Sequence, residues 1–335
     1  MQALLLRRHG GPEALRLETV PDPVPVAGEV LVRVRACALN HLDCFVRRGI
    51  PGVTVGLPRI LGSDIAGQRV DTGDPVLIAP GIGCGACHAC LSGRDNACPD
   101  YQILGYQRDG GYAELIVVPH RAILPLPAGL DFHTAAALPL VFLTAWNMLI
   151  RQAGLQPGQT VLVWGAGSGV GGAAIQVARL AGARVIATVG DLALRDRVLA
   201  LGAEAVVVHY DAQRPVARQV KELCPAGVDV VVEHVGQATW AQSLRALAPG
   251  GTLVTCGATT GHEAAVDLRF LFSRQLRLLG SYMGRRADLD TILAAAARGQ
   301  LRPVVDRVMP WTEAPAAHAA LEQGGHFGKL VLAVT

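Results

Sequence analysis

Apolar and polar positions follow two different rhythms along the chain, and the change falls near Leu130. Before it the pattern is short runs broken by glycine and proline. Gly28-Glu29-Val30-Leu31-Val32-Arg33-Val34-Arg35 alternates as a half-buried strand does. Residues 1–125 therefore read as an irregular β domain. After it, Asp131 can cap a helix running through Ala135–Ala137 toward Ile150. Apolar runs then recur at Thr160–Trp164, Arg184–Val189, Ala205–Val208, Val228–Glu233, Gly251–Thr255 and Arg277–Gly280, separated by amphipathic helical stretches. β-Branched strands in this spacing predict a parallel sheet covered on both faces. The predicted fold class is α/β, with residues 126–285 forming a doubly wound dinucleotide-binding domain. In the tail, residues 286–335, Asp288–Ala297 and Glu313–Glu322 read as helices, Val304–Val308 as extended and Leu330–Val334 as a closing strand. That last strand needs a partner, and the simplest is in the first domain.

Composition supports this reading. At 335 residues and 51% hydrophobic, the chain suits two domains with large cores. A net charge of +3 argues against a nucleic-acid footprint. Lys221 and Lys329 are the only lysines. The longest apolar stretch, Ala135 to Ile150, contains Pro139, Thr144 and Asn147, so no membrane span is expected. The start, Met1 to His9, lacks the pattern of a secretory signal. The expected compartment is the cytoplasm, where cysteines serve metals or buried packing more than disulfides.

Two motifs carry chemistry. Cys84, Cys87, Cys90 and Cys98 have the spacing C-x2-C-x2-C-x7-C. Four thiolates so placed suit tetrahedral Zn²⁺ and leave no open position, which predicts one structural zinc per chain. Gly83, Gly85 and Gly93 allow the tight turns. The alternative is two disulfides in a surface loop. Downstream, Val161–Trp164 runs into Gly165-Ala166-Gly167-Ser168-Gly169-Val170-Gly171-Gly172, and a helix follows. A strand, a glycine turn and a helix N-terminus point free N–H groups at a pyrophosphate. Gly167-x-Gly169-x-x-Gly172 satisfies G-x-G-x-x-G, with other registers open; a tight turn without ligand is the alternative. Asp191 lies slightly late for the ribose-gripping acid, and Val189 nearer the expected place. Arg195 and Arg197 beyond it could meet a 2′-phosphate. NAD and NADP both stay open, with NADPH favoured.

With these motifs placed, the chain resembles the medium-chain dehydrogenase/reductase superfamily from end to end. Gly10-Gly11-Pro12-Glu13, Leu39-Asn40-His41-Leu42-Asp43, Ile60-Leu61-Gly62-Ser63-Asp64, Leu138-Pro139 with Leu143-Thr144-Ala145, and Gly328-Lys329-Leu330-Val331-Leu332 look like its quinone oxidoreductase branch. The four-cysteine loop looks like that of the zinc alcohol dehydrogenases. The resemblance implies a GroES-like catalytic domain joined to a Rossmann domain. It implies a site lined by Asn40, His41, Asp43, Ser63 and Asp64, with Thr144 on the nicotinamide side and Lys329 among the cofactor contacts.

The catalytic zinc of those alcohol dehydrogenases does not carry over. Asn40 stands where they have a cysteine, and Ser63 where they have a histidine; the third ligand has no counterpart near Phe142 and Thr144. Asn and Ser are poor zinc ligands. Phe45 replaces a tyrosine frequent in the quinone reductase branch, and the stretch from Asp64 to Gly73-Asp74-Pro75-Val76 is shorter than the family pattern, which puts the local sheet edge in question.

Hydride transfer belongs to the cofactor; the protein must supply a donor where negative charge develops. Asn40 is the first choice to line the site, and His41 could relay protons. Equally, His41 reads as a satisfied surface histidine, Asp64 as a turn cap or arginine partner, and Cys37, His41 and Cys44 as a second metal site or as inert buried residues.

The expected activity is NAD(P)H-dependent reduction of quinones or α,β-unsaturated carbonyls, small molecules in either case. A zinc alcohol dehydrogenase with rearranged ligands and a nucleotide-binding regulator without turnover are the alternatives. The apolar edge Arg277-Leu278-Leu279-Gly280-Ser281-Tyr282 predicts a homodimer or homotetramer.

Overall fold

Glu29–Ala38 is the strand around which the N-terminal part of the chain is organised. Its residues Val30, Val32 and Val34 are buried in the alternating pattern that the sequence predicts, and the intervening positions are more open. It pairs antiparallel with Asp64–Arg69, with Leu115–Pro119 and with Lys329–Ala333. The computed structural model describes residues 1–211 and 213–334. They form two compact units: Met1–Leu140 with Arg285–Gly299 and the chain from Pro303, and Val141–Gly284 with Gln300–Arg302.

In the first unit the sheet order is Ile123–Pro125, Pro75–Ile78, Asp64–Arg69, Glu29–Ala38, Lys329–Ala333, Val305–Pro310. The last two strands are parallel and joined through helix Ala314–Gln323. The closing strand thus returns to the first unit, matching Val331 to Ala38 and Leu332 to Cys37. The shortened stretch after Asp64 is a tight hairpin. Ile65 faces Ile78 and Gln68 faces Pro75, the Arg69 N–H donates to the Asp74 carbonyl at 3.0 Å, and Gly73 takes φ 77°. The sheet edge is therefore intact.

The first unit extends past Pro125 to Leu140, because helix Phe132–Ala136 packs on Glu29–Ala38 and Asp64–Arg69. The expected single helix from Asp131 to Ile150 is broken instead into Phe132–Ala136, Pro139–Trp146 and a π-helical turn Asn147–Gln152. Pro139 lacks an N–H and disfavours helix at the residue before it. Asp131 caps the first piece, accepting from His133 N at 2.9 Å and Thr134 N at 3.0 Å.

The second unit is a six-stranded parallel sheet in the order Ala205–Val208, Arg184–Val189, Thr160–Val163, Val228–Glu233, Leu247–Thr255, Arg277–Gly280. This is the doubly wound order 3-2-1-4-5-6. Leu162, Val231 and Leu253 belong to a buried cluster with Val216 and Val220 of helix Val216–Leu223 and Leu244 of helix Gln237–Ala246. Among the described residues, Arg277–Gly280 is paired on one side only. No helix among them is long and apolar enough to cross a membrane.

Candidate functional site

The chemistry predicted from sequence resolves into three groups of residues. In the first unit, helix His41–Arg48 begins at Asn40, whose backbone is extended at φ −131°. The Asp43 carboxylate accepts from Asn40 N at 2.7 Å and, through its other oxygen, from Gly62 N at 3.1 Å. This ties the helix start to the Gly62-Ser63-Asp64 segment. Gly62 must be glycine: its φ is 97°, and a Cβ there would stand 2.5 Å from Tyr112 Cδ1 and 2.6 Å from Cys37 Sγ. Burial raises the Asp43 carboxyl from 3.8 to about 7, opposed by the hydrogen bonds from Asn40 N and Gly62 N and by the Lys329 charge.

The Asn40 side chain is engaged on both atoms. Nδ2 donates to Asp64 Oδ2 at 2.9 Å, and Oδ1 accepts from Lys329 Nζ at 2.6 Å. Lys329 Nζ also donates to Asp64 Oδ2 at 3.0 Å, while Asp64 Oδ1 accepts from Leu140 N at 2.8 Å. All three side chains are buried. A buried ion pair of this kind persists when further hydrogen bonds complete it, as they do here.

Of the remaining predicted residues in this unit, Ser63 is buried and its hydroxyl donates to the Leu104 carbonyl at 2.7 Å. His41 is exposed on the first helical turn, its ring tilted toward Phe45 at 6.3 Å. The Ser63 hydroxyl is thus engaged apart from the Asn40–Asp64–Lys329 hydrogen bonds. Cys44 Sγ lies 3.6 Å from His318 Nδ1, and His318 Nε2 is 3.1 Å from the Tyr112 hydroxyl. Burial lowers His318 from 6.5 to about 3, so it is neutral at ordinary pH. Nothing in the sequence singles out Tyr112 or His318, which meet Cys44 only through the fold.

The second group is the four-cysteine loop. The sulfurs of Cys84, Cys87, Cys90 and Cys98 lie within 4.8 Å of one another, with Cys84 and Cys90 at 4.0 Å. A tetrahedron of sulfurs at the Zn–S distance of ~2.3 Å has edges of roughly 3.8 Å, so the donor set fits that ion. The eight cysteines are free, and the 4.0 Å between the Cys84 and Cys90 sulfurs suits a shared ion better than a disulfide, whose sulfurs stand ~2.05 Å apart. Hydrogen bonds from Ala86 N and Cys87 N lower the Cys84 thiol from 9.0 to about 6. A Cβ on Gly83 would lie 2.7 Å from Cys90 Sγ, so glycine there lets the chain pass the sulfurs. Asp95 in the loop accepts from Arg286 N at 3.0 Å and so caps helix Arg286–Ala297. Among the described residues this is the only group of three or more His, Cys, Asp or Glu close enough to share an ion. Cys37, His41 and Cys44 are not brought together as one.

The third group is the glycine turn of the second unit. Ser168 caps helix Gly169–Leu180 by accepting from Gly171 N at 2.9 Å. The first helical N–H groups, of Gly169 and Val170, have no intrahelical acceptor and suit an anion. Gly165 has φ 55°, and its N–H donates to Thr188 Oγ1 at 3.0 Å. The register differs from Gly167-x-Gly169-x-x-Gly172. A Cβ on Gly171 would lie 2.2 Å from the Gly165 carbonyl, whereas one on Gly172 meets its nearest atom at 3.5 Å. Gly171 is the obligatory glycine.

At the end of the second strand, Asp191 is exposed and accepts from Ala193 N at 2.9 Å; Arg195 is exposed on helix Arg195–Ala200. Thr144 is buried in helix Pro139–Trp146. Thr188, His209 and His234 carry no motif, yet all three meet the turn region: His209 Nδ1 is 3.2 Å from Thr188 Oγ1, and His234 Nε2 is 2.8 Å from the Trp164 carbonyl.

Comparison with known proteins agrees with this arrangement. Residues 26–128 match the alcohol dehydrogenase GroES-like domain, and residues 169–298 match the zinc-binding dehydrogenase family. The chain is 31% identical to a crotonyl-CoA carboxylase/reductase of Cereibacter sphaeroides, over 97% of this chain and 84% of that one. It is 30% identical to a quinone oxidoreductase of Mus musculus, over 99% and 97%. A crystal structure of an NAD-dependent alcohol dehydrogenase superposes at TM-score 0.96 with 43% identity, covering 100% of both chains. The GroES-like unit, the doubly wound sheet with its glycine turn and these relatives lead to one conclusion: the chain belongs to the medium-chain dehydrogenase/reductase superfamily and is an NAD(P)-dependent oxidoreductase.

Proposed function

We propose that the chain reduces quinones or other activated, α,β-unsaturated carbonyls with NAD(P)H, without a catalytic metal, and carries one structural zinc on Cys84, Cys87, Cys90 and Cys98. The observation that carries this reading is the state of Asn40 and Ser63. Both stand where the zinc alcohol dehydrogenases place ligands. The Asn40 amide is engaged with Lys329 and Asp64, and the Ser63 hydroxyl with the Leu104 carbonyl. Neither is a thiolate or an imidazole, the donors such zinc sites use. An alcohol needs a Lewis acid to lower its pKa before it gives up a hydride. A quinone or enone already accepts electron density and needs only hydrogen bonds to its oxygen. Two relatives named for crotonyl-CoA and for quinones support that substrate class.

When bound, the nicotinamide supplies the hydride. Gly169 and Val170 offer N–H groups to the pyrophosphate, and Gly171 lets the turn close. Val189 in place of a strand-end acid, with Arg195 exposed nearby, favours NADPH over NAD. Asn40 lines the substrate side, Asp43 and Asp64 hold it there, and Thr144 belongs to the nicotinamide side. His41, exposed on the first helical turn, is placed to exchange a proton with solvent. The one-sided edge Arg277–Gly280 suits pairing with a second copy of the chain.

NADPH and NADH oxidation with 1,4-benzoquinone, 2-cyclohexen-1-one, aldehydes and ketones tests the reading. Consumption with the first two is expected, with ethanol and NADP⁺ inert. Fast alcohol oxidation that a chelator abolishes would contradict it.

A further inference from the structure

We propose that His209 selects the cofactor: its Nε2–H donates to the 2′-phosphate of NADP(H) at the end of the second strand of the parallel sheet. The inference deepens the NADPH reading above and rests on it.

Val189 stands near the place of the strand-end acid that grips an adenosine ribose. It pairs with Val208 on the neighbouring strand Ala205–Val208, and its carbonyl accepts from His209 N at 3.0 Å. The residue beside the expected acid position is therefore an imidazole. The carboxylate that follows in sequence, Asp191, accepts from Ala193 N at 2.9 Å and caps the short turn Leu192–Leu194.

Contacts on two sides fix how the imidazole is presented. Nδ1 lies 3.2 Å from Thr188 Oγ1, and the same hydroxyl accepts from Gly165 N at 3.0 Å. Thr188 is fully buried, and a buried hydroxyl gives its own hydrogen to an acceptor. Nδ1 serves as that acceptor, which leaves the proton of the neutral ring on Nε2. Burial lowers the pKa of His209, so the ring is neutral at pH 7. The Tyr210 ring stands edge-on to it, with centroids 4.2 Å apart. Nε2 lies beside Gly190: a Cβ there would stand 3.3 Å from it and 3.0 Å from Tyr210 Cε2. Gly190 is exposed, so glycine at this position leaves the Nε2 edge of the ring facing outward, where a larger side chain would cover it.

The hydrogen bonds thus run from Gly165, in the turn proposed for the pyrophosphate, through Thr188 to a donor at the strand end. That donor suits an anion. An ionised acceptor makes a hydrogen bond roughly twice as strong as a neutral one, so Nε2–H favours a 2′-phosphate over a ribose hydroxyl. Arg195 is the rival for this role. Its side chain is exposed on helix Arg195–Ala200, whereas the His209 ring is held by Thr188 and Tyr210.

The test measures binding of adenosine 2′,5′-bisphosphate and of 5′-AMP to the full chain by titration calorimetry. Neither ligand carries a nicotinamide, so the readout needs no turnover. Wild type should bind the bisphosphate at least roughly tenfold tighter than 5′-AMP. His209→Phe keeps a ring and removes the donor. It should lose most of that preference, with the Kd for 5′-AMP within about threefold of wild type. His209→Gln removes the ring and keeps a side-chain N–H, so it should retain part of the preference. If His209→Phe keeps the wild-type preference, or weakens both ligands alike, the inference is overturned. Loss of the preference in Arg195→Ala instead would assign the phosphate to Arg195. A wild-type chain that binds 5′-AMP as tightly as the bisphosphate overturns the NADPH reading, and this inference with it. Tighter bisphosphate binding that survives His209→Phe overturns the inference alone.

Discussion

The ammonium of Lys329 meets the amide oxygen of Asn40 at 2.6 Å, across 289 residues of sequence, and the Asp64 carboxylate bridges the two. This closes the N-terminal β unit with its own C-terminal strand at the point where the predicted chemistry lies. Removing the carboxylate leaves a buried cation without its counter-charge. Asp64→Ala should therefore lower the unfolding free energy by about 3–5 kcal/mol, measured by urea denaturation. A loss under about 1 kcal/mol would mean that Lys329 reaches water in solution.

The two adjacent glycines of the turn should behave differently. Gly171→Ala places a methyl 2.2 Å from the Gly165 carbonyl, so the turn must open. NADPH affinity should fall at least roughly tenfold, since a shift of about 1.4 kcal/mol is enough for that. Gly172→Ala meets nothing closer than 3.5 Å and adds a better helix former, so affinity should hold and stability should rise by up to about 1 kcal/mol. Equal losses in both would restore the Gly167-x-Gly169-x-x-Gly172 register.

Purified protein should hold one zinc per chain, bound by the four thiolates. Cys87→Ser should lose it, as elemental analysis would record, and should lower the midpoint of thermal unfolding, because metal binding contributes to folding. NADPH affinity should change little, since the glycine turn lies in the other compact unit. Retention of a full equivalent of zinc by Cys87→Ser would place the ion elsewhere.

His318 gives the chain a predictable acid sensitivity. Burial keeps its imidazole neutral down to about pH 3, against 6.5 when unfolded. Below pH 6.5 the unfolded chain takes up a proton that the folded chain refuses. Stability contributed by this group is thus complete above pH 6.5 and declines toward pH 3, by up to about 1.4 kcal/mol per pH unit. His318→Gln should flatten that part of the pH profile. An unchanged slope would show that His318 is already accessible to protons.

Much of this was legible in the sequence where a single element carries the signal. The strands Arg184–Val189 and Val228–Glu233 match their predicted ends, because inner parallel strands buried on both faces are nearly continuous apolar runs. The Cys84–Cys98 spacing already described a metal loop. The predicted single helix toward Ile150 breaks before Pro139, because an apolar run does not override a proline that lacks the N–H a continuous helix needs. The glycine register was ambiguous because spacing cannot say which Cβ would strike a carbonyl. The pairing of Cys44 with His318, and of Asn40 with Lys329, joins residues far apart in sequence. No periodicity encodes such contacts; they follow from the closing strand returning to Glu29–Ala38.

The central claim is reduction of an activated carbonyl at a site without catalytic metal, and one measurement addresses it most directly. NADPH oxidation with 2-cyclohexen-1-one is followed on protein whose zinc per chain is determined on the same sample, before and after mild chelation. The account predicts steady turnover at one zinc per chain, unchanged by the chelator while the four-cysteine ion stays bound. Two zincs per chain, with turnover lost as the weaker one is removed, would contradict it.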